Sequence, residues 1–291
     1  MRAMPSEFVS SSTINDQMIA KQPLLKKTMV LISLLMFSLV VVQGAIAAEV
    51  ISVTPIEDCF MCSKTPSLTM YWKGSNAKVV LLVLPGGTGQ VGLSAEKKDK
   101  QQPFYENLKR LTDASLTKGQ VDLVLLDSSR PLTANGADLS GRATKEHMVR
   151  IEAVVKHYKE KTGLPVWILG QSNGGASLAN FIRYMQEKKQ SDVISGAIAS
   201  ATRPESNFPP ALSIPLLFIT HKSDGCRNLD QLLRIYEATK AANSASTEWF
   251  VVEGGEAEAS KDVCHSGYHM FYKSGEQYAQ TIDDFISASV K

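Results

Sequence analysis

Beyond Val50 the spacing of apolar residues switches repeatedly between two kinds. Short runs rich in leucine and β-branched residues alternate with longer stretches in which apolar positions recur every three to four residues. The short runs, at residues 67–72, 78–84, 122–126, 166–169, 193–200, 215–220 and 248–252, predict strands. The longer stretches, at 103–115, 144–162, 174–188, 229–242 and 275–288, predict helices. Several strands lack the apolar–polar alternation of a half-exposed sheet, as expected when both faces are covered. Together they predict an α/β domain with a mostly parallel sheet flanked by helices. In 144–162, Met148, Ile151, Val154, Val155 and Tyr158 share one face, with lysines and glutamates between them, which makes an amphipathic helix and nothing more. The proline-rich stretch between 200 and 215 is too short to hold a helical lid, so an open site is expected rather than a capped tunnel.

Ahead of this pattern lies a different one. Lys26 and Lys27 precede a run from Met29 to Val42 broken only by Ser33 and Ser38, and Ala45-Ile46-Ala47 supplies the small residues that a signal peptidase accepts. The expectation is an N-terminal extension and signal peptide over 1–47, followed by one domain over 48–291. An uncleaved anchor is the competing reading, since Met29 to Ala48 approaches the ~20 residues of a membrane span. Gln43-Gly44 interrupts the run and favours cleavage, which predicts a periplasmic or secreted protein with no stable membrane association.

Composition adds constraints more than direction. The chain has 291 residues, 44% hydrophobic and 21% charged, ordinary for a domain with a substantial core. Four of its 31 basic and two of its 29 acidic residues lie in 1–47, so the remainder is balanced and gives no electrostatic reason to expect nucleic acid. Cysteines and histidines lack zinc spacing, and neither a P-loop nor a dinucleotide fingerprint occurs, so no metal or cofactor is expected.

The chemistry is concentrated in one ordered set of residues. Gly170-Gln171-Ser172-Asn173-Gly174 fits G-x-S-x-G, with an apolar strand before it and a helical pattern after it. A strand–turn–helix elbow would hold Ser172 strained as a nucleophile, and its glycines would permit the close approach of helix and strand. Acyl transfer at such a serine also needs donors for the developing oxyanion. The amide of Asn173 is one candidate. The other is Gly87, in the Leu84-Pro85-Gly86-Gly87-Thr88-Gly89 loop that ends the 78–84 strand, although a glycine cluster is also compatible with a plain turn.

An orienting acid and a base must follow the serine, each after a later strand. Asp224 lies directly after 215–220, where a turn aspartate before glycine is the bland alternative. Of five histidines, only His265 and His269 follow the last strand, and His269, just ahead of the final helix, is preferred as base. His221 is close enough to Asp224 to help position its loop.

The four cysteines all lie beyond residue 47, and an even count in an exported chain suggests two disulfides among three possible connectivities. Cys226–Cys264 would join two loops at one end of the sheet and leave Cys59 for Cys62. A redox-active Cys59-Phe60-Met61-Cys62 is the alternative, but that chemistry expects a helix N-terminus, and a strand-like stretch follows here.

At these motifs the chain resembles a family of exported bacterial α/β-hydrolases, most of them uncharacterised. The likeness runs through the 84–89 loop, Asp127-Ser128-Ser129-Arg130, Arg142 to His147, Trp167 to Gly175, His221 to Cys226 and Cys264 to His269. The resemblance implies the α/β-hydrolase fold, a Ser172–Asp224–His269 triad and a Cys226–Cys264 bridge. Met270 departs from it, since glycine often follows the base, and this keeps His265 in contention. The function expected is a serine hydrolase acting on small or accessible acyl esters. The alternative is an idle α/β-hydrolase fold serving as a binding or assembly module. Arg142 and His147 are read either as contacts to a polar substrate group or as an exposed helix start.

Overall fold

The computed structural model describes residues 48–54, 65–93, 103–133, 138–209, 212–257, 262–265 and 267–290. All of them belong to one compact unit, Ile46–Lys291. The candidate signal segment, Cys59 and Cys62 lie outside the described residues.

Among the described residues eight strands make one sheet: β1 (Glu49–Val53), β2 (Ser67–Trp72), β3 (Val79–Leu84), β4 (Val121–Asp127), β5 (Val166–Gln171), β6 (Gly196–Ser200), β7 (Leu216–His221) and β8 (Thr247–Val252). Their spatial order is β1-β2-β4-β3-β5-β6-β7-β8. β1 and β2 run antiparallel to their neighbours, and all pairings from β4 to β8 are parallel. The helices are α1 (Pro103–Lys109), α2 (Lys145–Thr162), α3 (Gly174–Glu187), α4 (Leu229–Ala242) and α5 (Gly275–Ser289).

The continuous apolar strands are explained by two cores, one on each face. In β3, Val80, Leu82 and Leu84 join Val154 of α2, Phe181 of α3 and Tyr236 of α4. Val79, Leu81 and Val83 point the other way, into a core with Phe104 and Leu108 of α1 and Tyr278, Ile282 and Phe285 of α5. Because side chains alternate across the sheet, helices on both faces demand apolar residues at every position, and all six residues of β3 are buried. The five predicted helical-face residues of α2 are all buried against the first core.

Two elements differ from the sequence reading. The edge strand β1 is an addition, held in register by antiparallel pairing from Glu49↔Tyr71 to Val53↔Ser67. The helix expected over 103–115 ends early: α1 stops at Lys109 and a 3-10 turn carries the chain to Thr112. There the Asp113 backbone turns extended, and its Oδ1 accepts from both the amide and the hydroxyl of Ser115, a local bond that competes with helix continuation. Between β6 and β7 the described residues hold a single 3-10 turn, Pro204–Ser206, in agreement with the lidless expectation.

Gly196 shows how tightly the sheet is covered. A Cβ there would lie 2.5 Å from the ring of Trp167, a buried side chain that also meets Phe285 edge-on at 5.8 Å. Overpacking of this kind costs about 1–3 kcal/mol. Gly196→Ala is therefore expected to lower the urea midpoint accordingly. Because the two residues touch, the double variant with Trp167→Leu should be less destabilised than the two single effects summed, and strict additivity would exclude this contact as the cause.

Candidate active site

β5 ends at Gln171 and α3 begins at Gly174, so Ser172 and Asn173 form the entire turn between strand and helix. A turn this sharp requires the left-handed region, and Ser172 has φ of 54°. For a serine this costs on the order of 1–3 kcal/mol and persists only where surrounding bonds over-determine it. They do so here: the Ser172 amide donates to Ser200 O at 2.9 Å, and its carbonyl accepts from the Gly175 amide at 3.0 Å. The flanking glycines have a steric reason. A Cβ on Gly170 would sit 2.6 Å from Gly174 O, and one on Gly174 would collide with Leu84 O at the end of β3.

Asp224 lies just past β7, buried, with its Oδ1 accepting from the Cys226 amide at 2.9 Å. Its Oδ2 is 2.7 Å from His269 Nδ1, and both side chains are closed to solvent. His265, the other candidate, is 76% exposed and pairs with Asp262 at 2.7 Å instead. The structure thus brings His269, and not His265, to Asp224. His269 is further tied to the elbow, because Gln171 Nε2 donates to its carbonyl at 3.2 Å.

A disulfide between Cys226 and Cys264 joins the Asp224 loop to the segment leading into His269. His221 steadies the same turn: its Nδ1 accepts from the Ser223 amide at 3.0 Å, which makes Nε2 the donor to Gly254 O at 2.9 Å. Burial keeps this imidazole's pKa below its ordinary value, consistent with that neutral tautomer. Ligand atoms of Asp224, Cys226 and His269 lie within 4.8 Å of one another. The Cys226 sulfur is committed to the disulfide and the carboxylate to the imidazole and an amide, so this trio is a poor cation site.

The loop after β3 packs against the elbow: a Cβ on Gly86 would be 2.9 Å from Ser172 Cβ. Gly87 adopts φ of 52°. Its carbonyl accepts from Asn173 Nδ2 at 3.1 Å, linking the two segments expected to supply oxyanion donors. Among the described residues, neither the Gly87 nor the Asn173 amide donates to another group.

Behind this loop sits a residue whose role the sequence reading misplaced. Arg142 is 1% exposed and donates to three successive carbonyls, Pro85 O at 3.1 Å, Gly86 O at 3.2 Å and Gly87 O at 3.0 Å. It also donates to Ser177 Oγ at 3.0 Å and Thr133 Oγ1 at 3.3 Å. Burial brings its pKa down to about 10, still cationic at neutral pH, and among the described residues it has no carboxylate partner. His147 stands behind it, buried, with Nε2 2.9 Å from Ser177 Oγ. Arg142 and His147 are neither an exposed helix start nor substrate contacts, because both are spent on the protein's own polar groups. Asp127 performs a similar service, its carboxylate accepting the amides of Val91 and Leu93 at 2.7 and 2.8 Å.

Two further features complete the site. A cleft of about 390 Å³ is bounded by Pro85, Gly87, Phe104, Tyr105, Ser172, His269 and Met270 among others. On the other side of the serine, Arg227 Nη2 donates to Ser172 Oγ at 2.6 Å. In the sequence Arg227 shows only as a cation next to Cys226.

No protein-family model matches the chain, and no curated protein matches it in sequence. Solved structures do match in shape. A dienelactone hydrolase from Anabaena variabilis aligns with a TM-score of 0.53 at 14% identity, over 84% of this chain and 98% of its own. An α/β serine hydrolase without lid from Xanthomonas campestris aligns at 0.55 and 11% identity, over 85% and 97%. An esterase from Pyrococcus furiosus aligns at 0.55 and 12% identity, over 84% and 93%. At these identities the likeness establishes the α/β-hydrolase fold.

His147 supplies a test of the buried polar layer. Burial, with Arg142 and Arg150 nearby, lowers its pKa to about 3, against 6.5 for a free imidazole. Between those values the unfolded chain binds a proton that the folded chain refuses, so this contribution is full above pH 6.5 and is lost as pH falls. Relative to His147→Gln, the wild type should lose about 1.4 kcal/mol of urea-measured stability per pH unit from pH 6 to 4. A pH-independent difference would show that His147 is not held neutral.

Proposed function

We propose that this protein is a serine hydrolase that cleaves carboxylic esters through an acyl-enzyme, with Ser172 as nucleophile, His269 as base and Asp224 as its orienting acid. The observation that carries the reading is the meeting on one cleft of a strained Ser172, Gly87 and His269, with buried Asp224 bonded to that imidazole and the Asn173 amide next to the serine left uncommitted. The esterases and hydrolases that share the fold lend it support.

In this mechanism His269 takes the hydroxyl proton as Ser172 Oγ bonds to the acyl carbon, and Asp224 stabilises the imidazolium through Nδ1. Negative charge collects on the former carbonyl oxygen, where the Gly87 and Asn173 amides receive it. Collapse breaks the bond to the alcohol, which departs with the proton held by His269. Water, deprotonated by the same imidazole, then attacks the acyl-enzyme and releases the acid.

The role of Arg142 follows from its three acceptors. By drawing the Pro85, Gly86 and Gly87 carbonyls to its own side, it fixes the peptide planes whose amides must face the serine. The Gly86-Gly87 pair is otherwise the most pliable stretch of the site. Being a cation without a carboxylate, it also adds a fixed positive potential behind the developing oxyanion.

Small or accessible esters suit the lidless cleft. The charge balance of the domain and its cleft favour a small molecule over nucleic acid. The leader-like 1–47 segment and the Cys226–Cys264 bridge support work in an oxidising compartment, the periplasm or outside the cell.

A fluorophosphonate probe should label the purified protein and leave Ser172→Ala unlabelled; equal labelling of both would end the hydrolase reading and favour an idle module. On p-nitrophenyl esters, turnover should fall from short to long acyl chains. Ser172→Ala or His269→Ala should lower kcat by about 10³-fold or more. Arg142→Lys keeps the charge but loses the fork, so it is expected to lower kcat by about 10²-fold with KM little changed. A matching loss in KM instead would assign Arg142 to substrate binding.

A further inference from the structure

The proposed mechanism gives no role to the guanidinium of Arg227, although it bonds the serine itself. Its Nε donates to Ala201 O at 3.1 Å and its Nη1 to Cys226 O at 3.0 Å, while Nη2 reaches Ser172 Oγ at 2.6 Å. Three of its five N–H donors are thereby used, and two remain. All three acceptors are uncharged, and among the described residues Arg227 has no carboxylate within ion-pair distance. Asp224 and Glu205 act on it through space, but Asp224 is occupied by His269 and the Cys226 amide and Glu205 pairs with Arg203.

A second cation stands close by. Arg203 pairs with exposed Glu205 at 3.0 Å, and its Nη1 donates to Asn173 Oδ1 at 3.4 Å, on the residue next to the serine. Burial is the main cause that lowers the Arg227 pKa and the Arg203 charge adds to it, while Asp224 and Glu205 oppose both. Two arginines thus flank the nucleophile on the β6–β7 side, while the cleft on the β3–α1 side has Pro85, Phe104 and Met270 in its walls. A half-buried guanidinium that bonds only uncharged acceptors still has donors to offer, and it is the side chain best shaped to take a carboxylate in two parallel bonds.

Resting on the hydrolase reading, we propose that Arg227, assisted by Arg203, is an anion-recognition subsite, and that the preferred ester carries a carboxylate on the β6–β7 side of its scissile bond. The substrate displaces the guanidinium from Ser172 Oγ and takes its free donors, so the ion pair forms as the nucleophile is released. The apolar end of the ester then occupies the cleft.

Matched esters test this with kcat/KM followed by proton release. Monomethyl adipate against methyl hexanoate places the charge on the acyl side, and carboxymethyl butyrate against isobutyl butyrate places it on the alcohol side. In one of the two pairs the wild type should favour the anionic ester by at least about tenfold, a preference that weakens with added salt. Arg227→Gln should bring that ratio close to one, and Arg203→Gln should lower it by less. Ratios near or below one in both pairs would overturn the subsite. So would an Arg227→Gln variant that slows both members of each pair equally, which would leave Arg227 as a strut on the serine. In either case the turnover of neutral esters would keep the hydrolase reading intact. If no ester turns over and Ser172 takes no fluorophosphonate, both readings fall together.

Discussion

Everything at the site depends on a contact of backbone against backbone, where the start of α3 presses on the ends of β5 and β3. Gly170 and Gly174 make it possible, since a Cβ on either would meet a main-chain carbonyl. The contact forces the chain around Ser172 into a left-handed turn and lifts the serine at the C-terminal edge of the sheet. It also lays the Pro85–Gly89 loop alongside. Parallel strands end at this edge in register, Leu84 beside Gly170 and Gln171 beside Ser200, so loops from four of them converge within reach of one side chain.

Convergence alone would leave the loops soft, and the surroundings are stiffened by polar groups the sheet cannot supply. The Arg142 guanidinium replaces its lost hydration with three carbonyls and two hydroxyls. Moving such a cation out of water costs several kcal/mol, which charge-assisted bonds of about 1.5–3 kcal/mol each can offset. Ser177 passes the network on to His147, which burial keeps neutral so that it adds no second charge. On the opposite side, the Cys226–Cys264 bridge holds together the loops of Asp224 and His269. Ser172 is therefore placed by sterics, the Pro85–Gly89 loop by a buried cation and the Asp224–His269 pair by a covalent link.

The sequence was most legible where one physical requirement acts on many consecutive residues. Strands covered on both faces must be apolar throughout, so β3, β5 and β7 are plain, and α2 shows its face by periodicity. Edges were harder. β1 owes its place to pairing with β2, a partner some twenty residues away, and α1 ends where a single aspartate side chain outcompetes the next turn. Arg142 was visible as a residue but not as a hub, because its three acceptors lie more than fifty positions upstream. Arg227 gave no local sign of its reach to a serine 55 residues away.

By itself, then, the sequence determined the layered α/β architecture and the elbow, since hydrophobic period and glycine sterics are short-range properties written in adjacent residues. It also put forward Ser172, Asp224 and two candidate histidines by their order along the chain after later strands. Tertiary structure alone decided which histidine meets Asp224, because His265 and His269 are four residues apart and only packing sends one inward and leaves the other at the surface. It decided as well that Arg142 faces the loop from behind and Arg227 faces the serine from the front. Hydrogen bonds and charge act through space, and the distances that matter to them arise only when remote segments of the chain are brought together.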